Sequence, residues 1–228
     1  MIFKQFFDQK SHTYTYIISS GKGREALIID PVIEKTQEYL EVLKNIELKL
    51  VKVIDTHIHA DHISGLKELQ KQTDCAVLMG DKSLSEVVTI RVKDNEKIKI
   101  ENIELTSIYT PGHTKCSYSF LMKDRVFTGD TLLINGTGRT DFQGGDAKDQ
   151  YKSIFNGLLK LPEETLVYPA HDYNGKKYST IISEKENNPR LQISSVDEYV
   201  DIMNNLKLDY PNMMDSNVSS NIKGLTKK

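Results

Sequence analysis

The chain has 228 residues, with 30 Lys and Arg against 32 Asp and Glu and a formal net charge of −2. This length suits one large domain, so we expect residues 1–228 to form a single domain ending in a polar, irregular tail from about residue 212 to 228. The small charge and the absence of a basic run argue against nucleic acid and membrane surfaces as partners. Two cysteines, an early polar N-terminus and no apolar stretch of about 20 residues predict a cytoplasmic protein without a disulfide framework, signal peptide or membrane span.

Apolar segments predict strands and helices in the first half of the chain. The helices are 34–46, whose apolar positions fall on one face, and the shorter 66–71. Charged and apolar residues alternate in 86–101, which predicts an exposed hairpin. The predicted strands are 2–7, 13–19, 26–29, 50–54 and 76–79.

The second half repeats this arrangement with a different group of helices. Its predicted strands are 103–109, 118–122, 125–127 and 166–170. A glycine-rich loop, 136–145, leads into the first of three predicted helices, which are 146–161, 177–187 and 196–206. Because strands occur first with one set of helices and then again with another, the sequence predicts two packed mixed sheets with helices outside.

Three of the six histidines lie in one short stretch, THIHADH at 56–62, directly after the strand 50–54. A loop at the end of a strand fixes the backbone while its side chains converge on one point. Imidazole and carboxylate are ligands that zinc, iron and manganese share. The alternative is a solvated polar loop. Four potential ligands within six residues favour a metal site.

Further potential ligands follow three later strands. His113, Asp130 and His171 each stand where an apolar segment ends. We therefore expect all four ligand-bearing segments at the same edge of the sheets. His12 is the one histidine outside this pattern, and we interpret it as structural or exposed.

The pattern HxHxDH, followed by a separate His, Asp and His, resembles the metallo-β-lactamase fold superfamily. That resemblance implies an α/β protein, an αββα sandwich of two mixed β-sheets flanked by helices, with the metal between the sheet edges. The stretches 56–65, 128–143, 168–175 and 188–191 are similar to the persulfide dioxygenase family, the group related to the ethylmalonic encephalopathy protein. These matches extend over nearly the whole chain.

The resemblance implies an oxidoreductase with one Fe(II) per chain. Such an enzyme oxidises glutathione persulfide, or a similar low-molecular-weight thiol persulfide, with O₂ to sulfite and free thiol. The family's catalytic iron ligands fall on His57, His113 and Asp130. The other members of the pattern would lie around the iron without binding it: His59, Asp61, His62 and His171. A homodimer and a separate rhodanese partner are compatible with this assignment.

Three residues are candidates for substrate binding. Arg139 lies in the glycine-rich loop, where it could clamp a substrate carboxylate through paired hydrogen bonds or brace the loop by pairing with Asp141. The resemblance places Tyr173 and Lys176 near the glycine end of glutathione. For both, an ordinary surface position is the alternative.

The sequence also departs from the family pattern. Thr137 stands where a cysteine is usual, the stretch after His113 is one residue shorter, and residues 218–221 read VSSN where VPAN is expected. The first two departures argue against cysteine-based regulation. We interpret Cys75 as a core residue and Cys116 as a packing residue, with an approach of Cys116 to the site as the alternative.

A glyoxalase II-like thioesterase is the competing function. Its two metals generate a hydroxide that attacks a glutathione thioester, and Asp61, His62 and His171 could complete a second metal site. The residues after the glycine–arginine step, Thr140–Gln143, differ from those of the thioesterases. Too few residues follow His171 for their helical C-terminal extension. A binding protein with a relic site is disfavoured because every ligand is present.

Overall fold

Two six-stranded mixed sheets pack face to face in the computed structural model, which describes residues 1–208 and 214–225. The strands of each sheet are neighbours in the order of the chain. The first sheet contains β1 (Ile2–Asp8), β2 (Thr13–Ser19), β3 (Glu25–Ile29), β4 (Lys49–Ile54), β5 (Ala76–Gly80) and β6 (Ile90–Val92). The second contains β7 (Lys97–Ile100), β8 (Ile103–Tyr109), β9 (Tyr118–Leu121), β10 (Arg125–Gly129), β11 (Leu166–Pro169) and β12 (Ser179–Thr180).

Helices cover the outer faces of both sheets. Those of the first half are α1 (Thr36–Asn45), preceded by a 3₁₀ turn at Ile33–Lys35, and α2 (Leu66–Thr73). Those of the second half are α3 (Ala147–Lys152), α4 (Ile181–Asn187), α5 (Val196–Asn204) and α6 (Met214–Lys223). Within the two described ranges, no helix is long and apolar enough to cross a membrane.

Alternation along the strands produces three apolar layers. On β2, Tyr16 and Ile18 point between the sheets, while Ile17 points toward α1 and α2. Val126 and Val167 of the second sheet pack against α3, α4 and α5. Successive strand residues face opposite sides, so a strand with apolar residues at every position is buried on both faces. The predicted αββα architecture is confirmed.

Three predictions about elements need correction. The hairpin predicted within 86–101 is wrong, because β6 pairs with β5 in one sheet and β7 pairs with β8 in the other. The helix predicted for 146–161 changes type, from α3 through a π-helical turn at Ser153–Gly157 to a 3₁₀ turn at Leu158–Lys160. The irregular tail is wrong for 214–223, which form α6. Residues 212, 213 and 226–228 of that tail lie outside the described ranges, and the assignment of a single domain stays a prediction.

Candidate metal centre

The predicted ligands meet at one edge of the two sheets. His57 follows β4, Asp130 follows β10 and His171 follows β11, while His113 lies in the loop between β8 and β9. Asp30, after β3, fixes the histidine loop, because its carboxylate accepts hydrogen bonds from the Thr56 backbone N–H at 2.7 Å and from the Thr56 hydroxyl at 3.0 Å. The prediction of a shared edge is confirmed.

His57, His113 and Asp130 form the first of three clusters of potential ligands among the described residues, and the third, Asp30, Asp55 and His59, shares His59 with the second. Nε2 of His113 lies 3.5 Å and Nε2 of His57 lies 3.9 Å from Oδ2 of Asp130. His113 Nδ1 lies 2.7 Å from the Arg139 carbonyl, which can only accept, so Nδ1 carries the proton and Nε2 keeps its lone pair. The Thr56 hydroxyl donates its hydrogen to Asp30, so it accepts one from His57 Nδ1 at 3.0 Å. The lone pair of His57 Nε2 is therefore also available to a metal ion.

Burial and neighbouring charges set the protonation of this cluster. Burial lowers the pKa of His57 well below its ordinary value, which keeps the imidazole neutral. Burial by itself would raise the pKa of Asp130, but His171, His113 and His57 together outweigh it and hold that pKa below the usual range. Two imidazoles and one ionised carboxylate, all facing one point, match the donor set of a divalent metal.

The second cluster consists of His59, Asp61, His62 and His171. His171 joins the first and second clusters, because its Nδ1 lies 2.6 Å from Asp130 Oδ1 and its Nε2 lies 2.9 Å from Asp61 Oδ2. Nδ1 of His62 lies 2.9 Å from the same oxygen of Asp61. Two buried ring nitrogens have no hydrogen-bond partner among the described residues, His59 Nδ1 and His62 Nε2.

A cavity of about 650 Å³ opens onto the first cluster. Arg139 and Tyr173 line it, whereas Lys176 is not among its lining residues and is exposed. The Arg139 guanidinium donates to both carboxylate oxygens of Asp141, at 2.7 and 2.8 Å, and lies 4.3 Å from the centre of the Phe142 ring. Arg139 thus forms the ion pair with Asp141 that would brace the loop, and it also lies on the cavity wall, where it could contact a substrate.

Sequence reasoning missed Arg190, which also lines the cavity. Its guanidinium donates to the Thr137 carbonyl and, at 3.1 Å, to the Thr137 hydroxyl. Among the described residues, no carboxylate forms an ion pair with it. Burial lowers the pKa of this guanidinium, which lies at the cavity without a compensating charge. The NPRL match at 188–191 was the available signal.

Helix α6 holds the histidine loop from outside. Nδ2 of Asn221 donates to the carbonyls of His59 and His62, both at 2.9 Å, and its Oδ1 accepts from the Ser64 backbone N–H at 2.8 Å. Asn217 adds a bond to the Ala60 carbonyl at 2.9 Å. One helix thus satisfies four backbone groups of the loop that carries the ligands.

Asn221→Ala should lower the free energy of unfolding by about 2–4 kcal/mol, because three buried hydrogen bonds are lost together. Denaturant unfolding of the metal-free protein measures this effect. The control is Ser219→Ala, since Ser219 is exposed on the same helix. Equal stability of the two variants would contradict a role of Asn221 in holding the loop.

Comparison with known proteins agrees with this fold. The model of the metallo-beta-lactamase superfamily matches residues 9–99 and 79–171. Two sheets flanked by helices, with a His/Asp metal site at their shared edge, define a metal-binding enzyme domain of that superfamily.

More similar relatives narrow the assignment. The mitochondrial persulfide dioxygenase ETHE1 of Mus musculus is 37% identical over 98% of this chain and 88% of its own length. The crystal structure of ETHE1 from Myxococcus xanthus is 42% identical, covers 97% of this chain and 98% of that one, and superposes with a TM-score of 0.94. A probable hydroxyacylglutathione hydrolase of Schizosaccharomyces pombe is 33% identical over only 77% of this chain. The chain belongs to the persulfide dioxygenase family, and the thioesterase alternative is less well supported.

Proposed function

We propose that this chain oxidises glutathione persulfide, or a similar low-molecular-weight thiol persulfide, with one Fe(II) held by His57, His113 and Asp130. The balanced reaction is RSSH + O₂ + H₂O → RSH + SO₃²⁻ + 2 H⁺. The outer sulfur loses four electrons to O₂, and its bond to the thiol sulfur is broken. Two relatives, from mouse and Myxococcus xanthus, are named for this enzyme.

The observation that carries the proposal is the convergence of two imidazole lone pairs and one carboxylate at the cavity. Two histidines and one carboxylate on one face are the ligand set of non-haem Fe(II) oxygenases. Bound ferrous iron would supply the capacity to react with O₂, and three protein ligands would leave positions open for substrate. The chain orients its ligands through the Thr56 hydroxyl and the Arg139 carbonyl.

Basic groups on the cavity wall would position the carboxylates of the thiol carrier. Arg139 and Arg190 are the proposed partners, and Tyr173 is a candidate contact at the rim, where 66% of it is exposed. Lys176 remains a weaker candidate because it lies outside the lining. A homodimer, a rhodanese partner and a cytoplasmic location stay predictions of the resemblance.

The test is oxygen uptake by purified protein loaded anaerobically with ferrous iron. We expect uptake only when both iron and glutathione persulfide are present, with one sulfite formed per O₂ consumed. S-lactoylglutathione is the matched alternative substrate. Its rapid hydrolysis without oxygen uptake would instead assign the chain to the thioesterases.

Arg139→Ala should raise KM for glutathione persulfide and lower kcat/KM about ten- to hundred-fold, because a charge-assisted pair is worth roughly 1.5–3 kcal/mol. Steady-state oxygen uptake with iron content measured on the same samples checks this. The matched control, Asp141→Asn, keeps the guanidinium and removes its bracing charge, so its KM should change less. A loss of iron in Arg139→Ala, with KM unchanged, would make Arg139 a structural residue only.

A further inference from the structure

Thr13 is the first residue of β2, and its side chain lies inside the second cluster. The residue is fully buried. Its hydroxyl oxygen lies 3.2 Å from Asp61 Oδ2, 3.3 Å from His62 Nδ1 and 3.1 Å from His171 Nε2. One hydroxyl thus contacts three of the four side chains that could bind a second metal ion.

The backbone fixes Thr13 in this place. A β-bridge joins Thr13 to His171, and the Tyr14 backbone N–H donates to the Ala170 carbonyl at 2.7 Å. The start of β2 and the end of β11, from different sheets, are therefore held together at this position. The Cα of Thr13 is thereby fixed beside His171, with the side chain directed into the second cluster.

The first and second clusters differ in how far their donor atoms stand apart. Ligands at about 2.1 Å around a tetrahedral ion are about 3.4 Å from one another. In the first cluster, Nε2 of His113 and of His57 stand 3.5 and 3.9 Å from Asp130 Oδ2, which leaves room for an ion. In the second cluster, the imidazole nitrogens of His62 and His171 both lie 2.9 Å from Asp61 Oδ2, which is hydrogen-bond distance.

Hydrogen bonding satisfies the Asp61 carboxylate, the only carboxylate of the second cluster, without a cation, while His59 Nδ1 and His62 Nε2 have no partner among the described residues. The Asp61 carboxylate can only accept, and it has donors in Thr13, His62 and His171. Their polar hydrogens supply the positive charge density that a metal ion would otherwise provide. A second ion would have to break these bonds and displace the hydroxyl from among its ligands.

We propose that the Thr13 hydroxyl keeps the centre mononuclear by occupying, within this hydrogen-bonded cluster, the place of a second cation. The proposal rests on the proposed single-iron function and deepens it, since it names the residue that sets the number of metal ions. Thr13 acts as a residue that determines metal content, and it lies outside the three proposed iron ligands. No feature of the histidine motif itself specifies this role, because the seven potential ligands suit one ion or two.

The test compares wild type, Thr13→Ser and Thr13→Ala after loading with excess Zn²⁺ and removal of unbound metal. Metal per chain is measured by mass spectrometry. We expect one ion in wild type and in the serine variant, which keeps a hydroxyl, and two ions in the alanine variant. Adding His62→Ala to Thr13→Ala should return the count to one, because the second ion loses a ligand. Ser19→Ala, on the same strand and hydrogen-bonded only near its own turn, is the control and should hold one ion.

A folded Thr13→Ala protein with one ion would overturn the proposal, as would two ions in the serine variant. If the alanine variant does not fold, Thr13→Val, which removes the hydroxyl and keeps the branched shape, is measured in the same way; two ions would support the proposal and one ion would overturn it. Oxygen uptake by the iron-loaded wild type distinguishes failure of the proposed dioxygenase function from failure of the proposed role of Thr13. Uptake with persulfide and an unchanged metal count in Thr13→Ala refutes only the role of Thr13. Absent uptake with the expected change in count refutes only the proposed function.

Discussion

Asp130→Asn should abolish oxygen uptake and lower the affinity for ferrous iron by more than about 100-fold. Replacing a residue that only orients a metal ligand already lowers metal affinity 10- to 100-fold. Asp130 contributes more, because its Oδ2 faces both imidazoles of the first cluster and its Oδ1 lies 2.6 Å from His171. An amide supplies a neutral oxygen and an N–H group that cannot bind the ion.

Iron affinity is measured by anaerobic titration against a competing chelator, and oxygen uptake is measured on the same preparations. Asp201→Asn is the matched control, because Asp201 is exposed on α5 and is not among the residues that line the cavity. Far-UV circular dichroism separates loss of metal from loss of fold. Unchanged iron affinity in Asp130→Asn would remove the carboxylate from the ligand set and with it the proposed dioxygenase centre.

Gly138→Ala should both destabilise the protein and disturb the metal centre. A Cβ atom at residue 138 would lie 2.2 Å from the Asp130 carbonyl oxygen and 2.8 Å from His113 Nδ1. Those atoms belong to two of the proposed ligands, so relief of the clash moves the ligands themselves. Inserting a methyl group into a packed site costs about 1–3 kcal/mol.

Gly157→Ala is the matched control, because a Cβ at residue 157 would meet nothing within 4 Å. Denaturant unfolding of the metal-free variants gives the stability difference, and iron titration gives the effect on the centre. We expect the alanine at 138 to lower both quantities and the alanine at 157 to leave iron affinity unchanged. Iron affinity equal to wild type in Gly138→Ala would show that the close approach of this loop is unimportant for the ligands.

The ligand cluster could be predicted because its members follow apolar strands. His57, Asp130 and His171 each come directly after such a segment, and the shared edge follows from packing two sheets. Thr13 and Arg190 could not be predicted in the same way. Their roles depend on side chains more than 40 residues away in the chain, which local pattern does not report.

The two main errors have different physical origins. Alternation in 86–101 predicts strands correctly, but it does not specify that β6 pairs with β5 and β7 with β8. Helix α6 was missed although Met214 is buried and Val218 and Ile222, four and eight residues later, pack against the core cluster under α1 and α2. The many polar residues between them, including Asn217 and Asn221, led to the interpretation of a polar tail.

The burial of both cysteines affects how readily a persulfide substrate could modify the protein itself. Persulfides transfer sulfur to accessible thiolates, so a protein that handles them risks modification with each encounter. Cys75 and Cys116 are the only thiols in the sequence, both are buried, and neither lines the cavity. Burial also raises the pKa of each thiol, which lowers its thiolate fraction. Neither thiol is therefore placed to accept sulfur from a persulfide bound in the cavity.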